Sequence, residues 1–271
     1  MESKIDVIET FTLGKTKDSS KNEDGFLITD SYIAVVDGAT SKTGKTFYGE
    51  TGGKLAMEKI LDVIEDASGE ESKEELVSKI QNVLVDEISV QEHGPASASA
   101  VIYSIKNREI WYIGDCRIMI DGTSINTSKL VDKIISDARS LAVEGLLLQG
   151  KSEKELMEKD EAREMILPFL RLQHEFENRP GEYGYVVFNN SCTELEYMPK
   201  NIGCISVQPG SMVVLATDGY PKLYGTRRES EIELHRLLKA DPLCYKENKG
   251  TKGLSIGNLS YDDRTYVRFT S

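Results

Sequence analysis

Four short acidic motifs lie at the edges of strand-like runs in this 271-residue chain: Asn22-Glu23-Asp24, Val36-Asp37-Gly38, Thr217-Asp218-Gly219 and Tyr261-Asp262-Asp263. A carboxylate at a strand end is aimed by a rigid sheet yet stays open to solvent, as hard cations such as Mg²⁺ or Mn²⁺ require of oxygen ligands. Residues 25–29 and 32–36 read as two β-rich runs meeting at Asp30-Ser31, a two-residue turn by length though not by its preferred chemistry. Paired positions in such a hairpin sum to 61, so Asp24 faces Asp37 with Glu23 beside them. Like charges directly opposite on a sheet repel, so these three carboxylates require a cation between them or full exposure to water. Residues 211–217 form a buried-strand pattern ending in Asp218-Gly219, and 265–269 a further strand preceded by Asp262-Asp263. Gly38 and Gly219 let the backbone approach closely and can present a carbonyl oxygen to a metal.

The remaining chain supplies elements to position these groups. Residues 49–66 and 72–92 carry helical apolar spacing, as in Leu76, Ile80, Val83, Leu84 and Ile88, and predict two helices over one sheet face. Residues 97–105 and 109–120 read as a hairpin about Lys106-Asn107-Arg108, interrupted at Gly114-Asp115. Residues 128–148 and 152–176 return to helical spacing, the latter opening on the capping box Ser152/Glu155, and predict a helix pair on the opposite face. Residues 183–189 and 193–198 read as another hairpin, 211–217 as a central strand, 229–238 as a helix and 265–269 as the terminal strand. The strand-to-strand steps predict antiparallel sheets in the middle with helices outside.

No Pro/Gly/Ser-rich linker divides the sequence, so a single domain over 1–271 is expected. Its 33 Lys and Arg against 45 Asp and Glu leave a net charge of −12, which argues against nucleic acid or an anionic membrane as partner. The first residues lack an apolar signal core, and no run reaches the ~18 apolar residues of a membrane span, so a soluble, cytoplasmic protein is expected. Cys116, Cys192, Cys204 and Cys244 have no C-x-x-C spacing and read as reduced, structural thiols.

Taken in order, NED, VVDG, ASASAVI followed by WYIGDCR, VVLATDG and DDRTYV resemble the metal-dependent protein phosphatases of type 2C, including their compact bacterial branch, over nearly the whole chain. The resemblance implies an α+β fold, a four-layer αββα sandwich of two mainly antiparallel sheets flanked by helices. It also implies two divalent cations, Mg²⁺ or Mn²⁺, and hydrolysis of phosphoserine or phosphothreonine in a protein substrate, with no covalent phosphoenzyme. Asp37 then resembles the carboxylate bridging both metals, Glu23 and the Gly38 carbonyl ligands of one, Asp218 and Asp262 ligands of the other, and Asp24 the acid that orders the attacking water. Many members bind the substrate phosphate with an arginine four residues before the glutamate. That place holds Ser19 here, with Lys17, Lys21 and Lys45 as candidate substitutes. Ala39 stands where some eukaryotic members have a histidine, leaving only His93, His174 and His235. Gly114-Asp115 resembles the family's Gly-Asp pair, with a structural role.

Two other readings compete. A phosphatase-like fold could serve as a non-catalytic binding module, which the departure at Ser19 supports. Residues 39–46 also satisfy a relaxed phosphate-loop pattern after a strand, and would make this a nucleotide-binding protein using Lys45. Against that, Asp37 places a carboxylate where phosphates would lie, and Phe-Tyr-Gly is a poor opening for the helix that should follow.

Overall fold

A computed structural model of the protein describes residues 5–40, 50–90, 94–191 and 197–271. The first hairpin forms as the alternation dictates: β2 (Asp24–Ile28) and β3 (Tyr32–Gly38) pair antiparallel, Asp24 opposite Asp37 and Ile28 opposite Ile33. Both faces of β3 are buried, which explains its nearly continuous apolar run. Further strands extend this sheet in the order β2-β3-β4-β5-β9, with β4 at Ser97–Ser104, β5 at Glu109–Ile113 and β9 at Gly203–Ser206; β8 (Phe188–Asn189) also pairs with β4. The second sheet runs β1-β11-β10-β6-β7, built from Asp6–Leu13, Arg264–Thr270, Met212–Ala216, Arg117–Ile120 and Thr123–Ile125. All these strand pairs are antiparallel.

Apolar residues of both sheets share one core. Ile33, Val35, Val101 and Tyr103 meet Ile118, Leu215, Val267 and Phe269. On the far side of the first sheet, α1 (Gly52–Glu65) and α2 (Lys73–Glu87) bury Ile60, Ile64, Leu76, Ile80 and Leu84 against Tyr32, Ile102 and Trp111. Each such side chain contributes about 1.5–3 kcal/mol when fully buried. The outer face of the second sheet, with Val214, Ala216 and Tyr266, packs on Tyr220 and Leu223. Glu231 of the helix Arg227–Ala240 accepts hydrogen bonds there from Tyr220 (2.7 Å) and Arg264 (2.8 Å). The architecture is α+β, two antiparallel sheets flanked by helices.

Several elements depart from the sequence expectations. Residues 152–176 are not one helix: α4 (Glu153–Glu158) keeps the capping box, then Asp160 caps a separate α5 (Glu161–Leu172) through its side chain. With α3 (Leu130–Leu148), these helices pack on one another and on Leu243 and Tyr245, and their buried apolar clusters contain no strand residue. They therefore form a side wall rather than a cover on the second sheet. Among the described residues of the hairpin expected at 183–198, only β8 forms a strand; Tyr197 and Met198 open a short helix, Tyr197–Asn201, where Pro199 fits a first turn but could not donate to a ladder. Residues 192–196 of that hairpin, Cys192 among them, lie outside the described residues, as do 91–92 of the second expected helix. Asp6–Leu13, where no strand is expected, forms the sheet edge β1. Cys116, Cys204 and Cys244 are free thiols. Among the described residues no helix is long and apolar enough to cross a membrane.

The run 109–120 is split between the sheets, β5 in the first and β6 in the second. Gly114 makes the crossing at φ +81°, and a Cβ there would collide with the Ser99 side chain. Gly114→Ala is therefore expected to destabilise the fold by roughly 2 kcal/mol or more, read as a lower denaturation midpoint at unchanged m-value; a loss within 0.5 kcal/mol would show that the crossing tolerates a side chain.

Candidate active site

The ends of both sheets deliver the acidic motifs to one place. Asp24 opens β2, Asp37 and Gly38 close β3, Asp115 sits in the crossing between sheets, Asp218 follows β10, and Asp262 and Asp263 precede β11. Asp37, Gly38, Asp115, Asp218 and Asp262 line a cleft of about 610 Å³, whose opposite wall includes Lys129, Arg163 and Lys252. Gly38 is demanded by close approach: a Cβ there would strike the carbonyls of Gly53, at the start of α1, and of Glu23. Its N–H donates to the Glu23 carbonyl at 3.0 Å, locking the two motifs together.

Proximity of like charges dominates the electrostatics. Burial and then Asp24, Asp218 and Asp262 push the Asp37 carboxyl well above the usual carboxylate range. Burial and then Asp262 and Asp115 push Asp218 up to about 7. Asp24 is raised too, chiefly by burial, with Asp263, Asp262 and Asp218 adding to it against a hydrogen bond from Thr217. Its Oδ2 is buried without a hydrogen-bond partner. Asp115 goes the other way. Burial opposes its ionisation, but the Lys129 ammonium at 2.9 Å and the Ser99 hydroxyl at 2.7 Å hold it below the ordinary value.

Glu23 is buried away from the cleft surface. Its Oε1 accepts from the Thr51 hydroxyl at 2.5 Å, and its Oε2 from Thr40 at 2.6 Å and from the Lys15 ammonium at 3.1 Å. Lys15 also reaches Asp263 at 2.9 Å and Asp262 at 3.7 Å, and Lys252 pairs with Asp262 at 2.5 Å. Lys15, just past the end of β1, is thus a basic residue inside the acidic cluster, shared by three of its carboxylates. Motif spacing does not single it out, and the one signal nearby is the alternating exposure of β1 just before it. Lys17 and Lys21 are exposed and do not line the cleft, and Lys21 pairs with Asp18. Ser19 is exposed on a short 3-10 turn. Lys45 and most of the phosphate-loop candidate 39–46 lie outside the described residues, while the strand before it belongs to an antiparallel sheet. His174 pairs with Glu177 and His235 lies exposed on the 227–240 helix; neither lines the cleft, and His93 is outside the described residues.

Among the described residues no three His, Cys, Asp or Glu side chains already converge as a metal cage. Lysines neutralise Glu23, Asp262 and Asp263, drawing those carboxylates toward themselves. Asp24, Asp37 and Asp218 have no such cation in ion-pair contact among the described residues. Three crowded carboxylates, one with an orphaned oxygen, have the hard-oxygen chemistry that a divalent ion takes. The residues present fit a metal on that side of the cluster.

Comparison with solved structures finds this architecture elsewhere. A bacterial serine phosphatase is similar over 97% of this chain and 96% of its own, with 14% identity and a TM-score of 0.50. The serine/threonine phosphatase PstP of Mycobacterium tuberculosis is 15% identical over 97% of this chain and 98% of its own (TM-score 0.47), and RsbX, solved with magnesium, is 13% identical over 98% and 99% (TM-score 0.46). No protein-family profile matches the sequence, and no curated protein matches it. At such identities the first likeness is one of fold, the type 2C phosphatase sandwich.

A carboxyl whose pKa is raised by folding binds protons that the unfolded chain has already released, so its contribution to stability falls as pH rises from about 4 to about 7. Asp218→Asn is accordingly expected to raise the melting temperature of the chelator-treated protein at pH 8 by roughly 2–4 °C, the shift that about 1 kcal/mol produces in a chain of this size. At pH 5.5 the gain should shrink. Calorimetry showing equal gains at both pH values would overturn the repulsion account.

Proposed function

We propose that this chain is a metal-dependent serine/threonine phosphoprotein phosphatase, one catalytic domain over 1–271 that hydrolyses phosphomonoesters with two Mg²⁺ or Mn²⁺ ions. The observation that carries this reading is the placement of Asp37 opposite Asp24 on one sheet, with Asp218 and Asp262 brought into the same cleft from the other. Likeness of fold to a bacterial serine phosphatase supports it. Asp37, the Gly38 carbonyl, Asp218 and Asp262 would hold the ions, with Glu23 completing the set as Lys15 yields its carboxylate. When bound, the ions supply positive charge that activates water and withdraws electron density from phosphorus.

The chain's own residues prepare that chemistry. Asp24, behind Asp37, offers a free carboxylate oxygen to orient water. Asp115, kept ionised by Lys129 and Ser99, holds the crossing between sheets in place and, with it, Ser99, the partner of Asp37 on β4. Lys15 bridges Glu23 to Asp262 and Asp263, so the two sheets' acidic ends stay together. The cleft is open and polar, suited to a phosphorylated side chain on a protein surface rather than to a buried apolar ligand.

A second reading, a phosphatase-like fold used as a binding module without catalysis, draws on the same lysines: Lys15 and Lys252 already neutralise Glu23, Asp262 and Asp263. Hydrolysis of para-nitrophenyl phosphate with and without Mn²⁺ separates the two. The phosphatase reading expects metal-dependent turnover that falls by ~100-fold or more in Asp37→Asn and in Asp218→Asn, as loss of a transition-state charge stabiliser does. Metal-independent activity, or full activity in both variants, would overturn it. Mn²⁺ affinity should also weaken as pH is lowered from 8 to 6, because Asp218, pushed up to about 7, takes up a proton in that window; a calorimetric Kd unchanged across it would remove Asp218 from the metal site.

A further inference from the structure

A phosphomonoester entering this cleft brings up to two negative charges into a site crowded with carboxylates, so it needs a cation that no protein acid already occupies. The basic residues on the cleft wall are mostly taken. Lys129 pairs with Asp115 at 2.9 Å, Lys252 with Asp262 at 2.5 Å, and Lys133 and Lys249 both with Asp137, at 3.2 and 2.7 Å. Arg163 donates to the Thr251 carbonyl at 2.5 Å.

Arg117 differs from all of these. It opens β6 just past the Asp115 crossing, pairs with Ala216 two residues before Asp218, and lines the same cleft as Asp37, Asp218 and Asp262. Among the described residues it has no acid within ion-pair distance, and its Nε is buried with no hydrogen-bond partner. It lies near enough to Asp218 and Tyr261 to favour their anionic forms without touching either. A buried, unsatisfied donor is costly, and native structures retain few of them. A guanidinium presents its Nε and Nη donors as a planar fork that matches two oxygens of a phosphate.

We infer that Arg117 is the phosphate-binding residue of this cleft, its fork receiving two oxygens of the substrate phosphomonoester. The inference rests on the phosphatase reading for its substrate, but the anion site itself can be tested apart from turnover. Its location also accounts for an exposed Ser19 outside the cleft: the fork is delivered by β6 of the second sheet rather than by the turn before β2.

Orthophosphate binding to the full-length, Mg²⁺-loaded protein, followed by calorimetry, is the test. Arg117→Ala is expected to weaken it by roughly tenfold or more, and Arg117→Lys, which keeps the charge but not the fork, by less. Lys133→Ala, which removes an exposed lysine of the same wall, should leave affinity unchanged. With para-nitrophenyl phosphate, Arg117→Ala should raise KM and the inhibition constant of orthophosphate together, while the calorimetric Mg²⁺ affinity stays at the wild-type value, a split that a merely structural role would not produce. If Arg117→Ala fails to fold by circular dichroism, Arg117→Gln provides the same comparison with a side chain of similar length. Undetectable orthophosphate binding to the wild type, or equal affinity in wild type and the Arg117 variants, overturns the assignment while leaving metal-dependent hydrolysis intact. Arg117-dependent phosphate binding without any wild-type hydrolysis would instead sustain the anion site and remove the phosphatase reading.

Discussion

Repulsion among carboxylates at the shared end of two sheets is the constraint around which the rest of this molecule is arranged. Asp24 and Asp37 stand directly opposite each other because β2 and β3 pair with position sums of 61. That register cannot slip. β3 is buried on both faces, Ile33 and Val35 into the core between the sheets and Tyr32, Ala34 and Val36 against the helices, and a one-residue shift would exchange the two sets. The apolar core therefore holds the charged pair in place, and the core's stability is what sustains the electrostatic strain.

Different acids in the cluster are handled by different means, and the contrast is informative. Asp115 has a partly buried lysine and a hydroxyl at hydrogen-bond distance and is pushed toward its charged form. Asp218, at the end of the neighbouring strand, sits without an ion-pair contact among the described residues and is pushed toward neutrality. Both are close to Asp37, yet one is satisfied within the protein and the other is open to a ligand. Lys15 extends the same logic across the interface, since one ammonium tethers Glu23 of the first sheet's motif to Asp262 and Asp263 of the second's. In a chain of net charge −12 such placement of a few cations matters more than their number.

The helices α3 and α5 give the cleft its far wall. Arg139 of α3, fully buried, donates to Asp160 at 2.6 Å and to the Leu243 carbonyl at 2.8 Å, which joins this helical unit to the 241–254 loop bearing Lys252. The acidic floor comes from sheet ends and the basic wall from helices and a loop, so rigid strands hold the acids while longer side chains line the wall.

Much of the floor was legible in the amino-acid order. Strand patterns, the 61-sum hairpin and the acidic motifs at strand ends are local or near-local properties, and alternation with a two-residue turn is enough to put Asp24 across from Asp37. Antiparallel sheets with helices outside follow from the same patterns, whereas the four-layer sandwich is what the family resemblance implies. Tertiary structure decided the rest, because it depends on contacts between residues distant in sequence. Position 15 meets position 263 only once β1 has paired with β11, and Arg117 reaches the cleft only because Gly114 carries the chain from one sheet to the other. No periodicity encodes which lysine finds a carboxylate or which arginine is left without one. Those outcomes belong to the packing of two sheets against each other, where long-range geometry rather than neighbouring residue types sets the distance between charges.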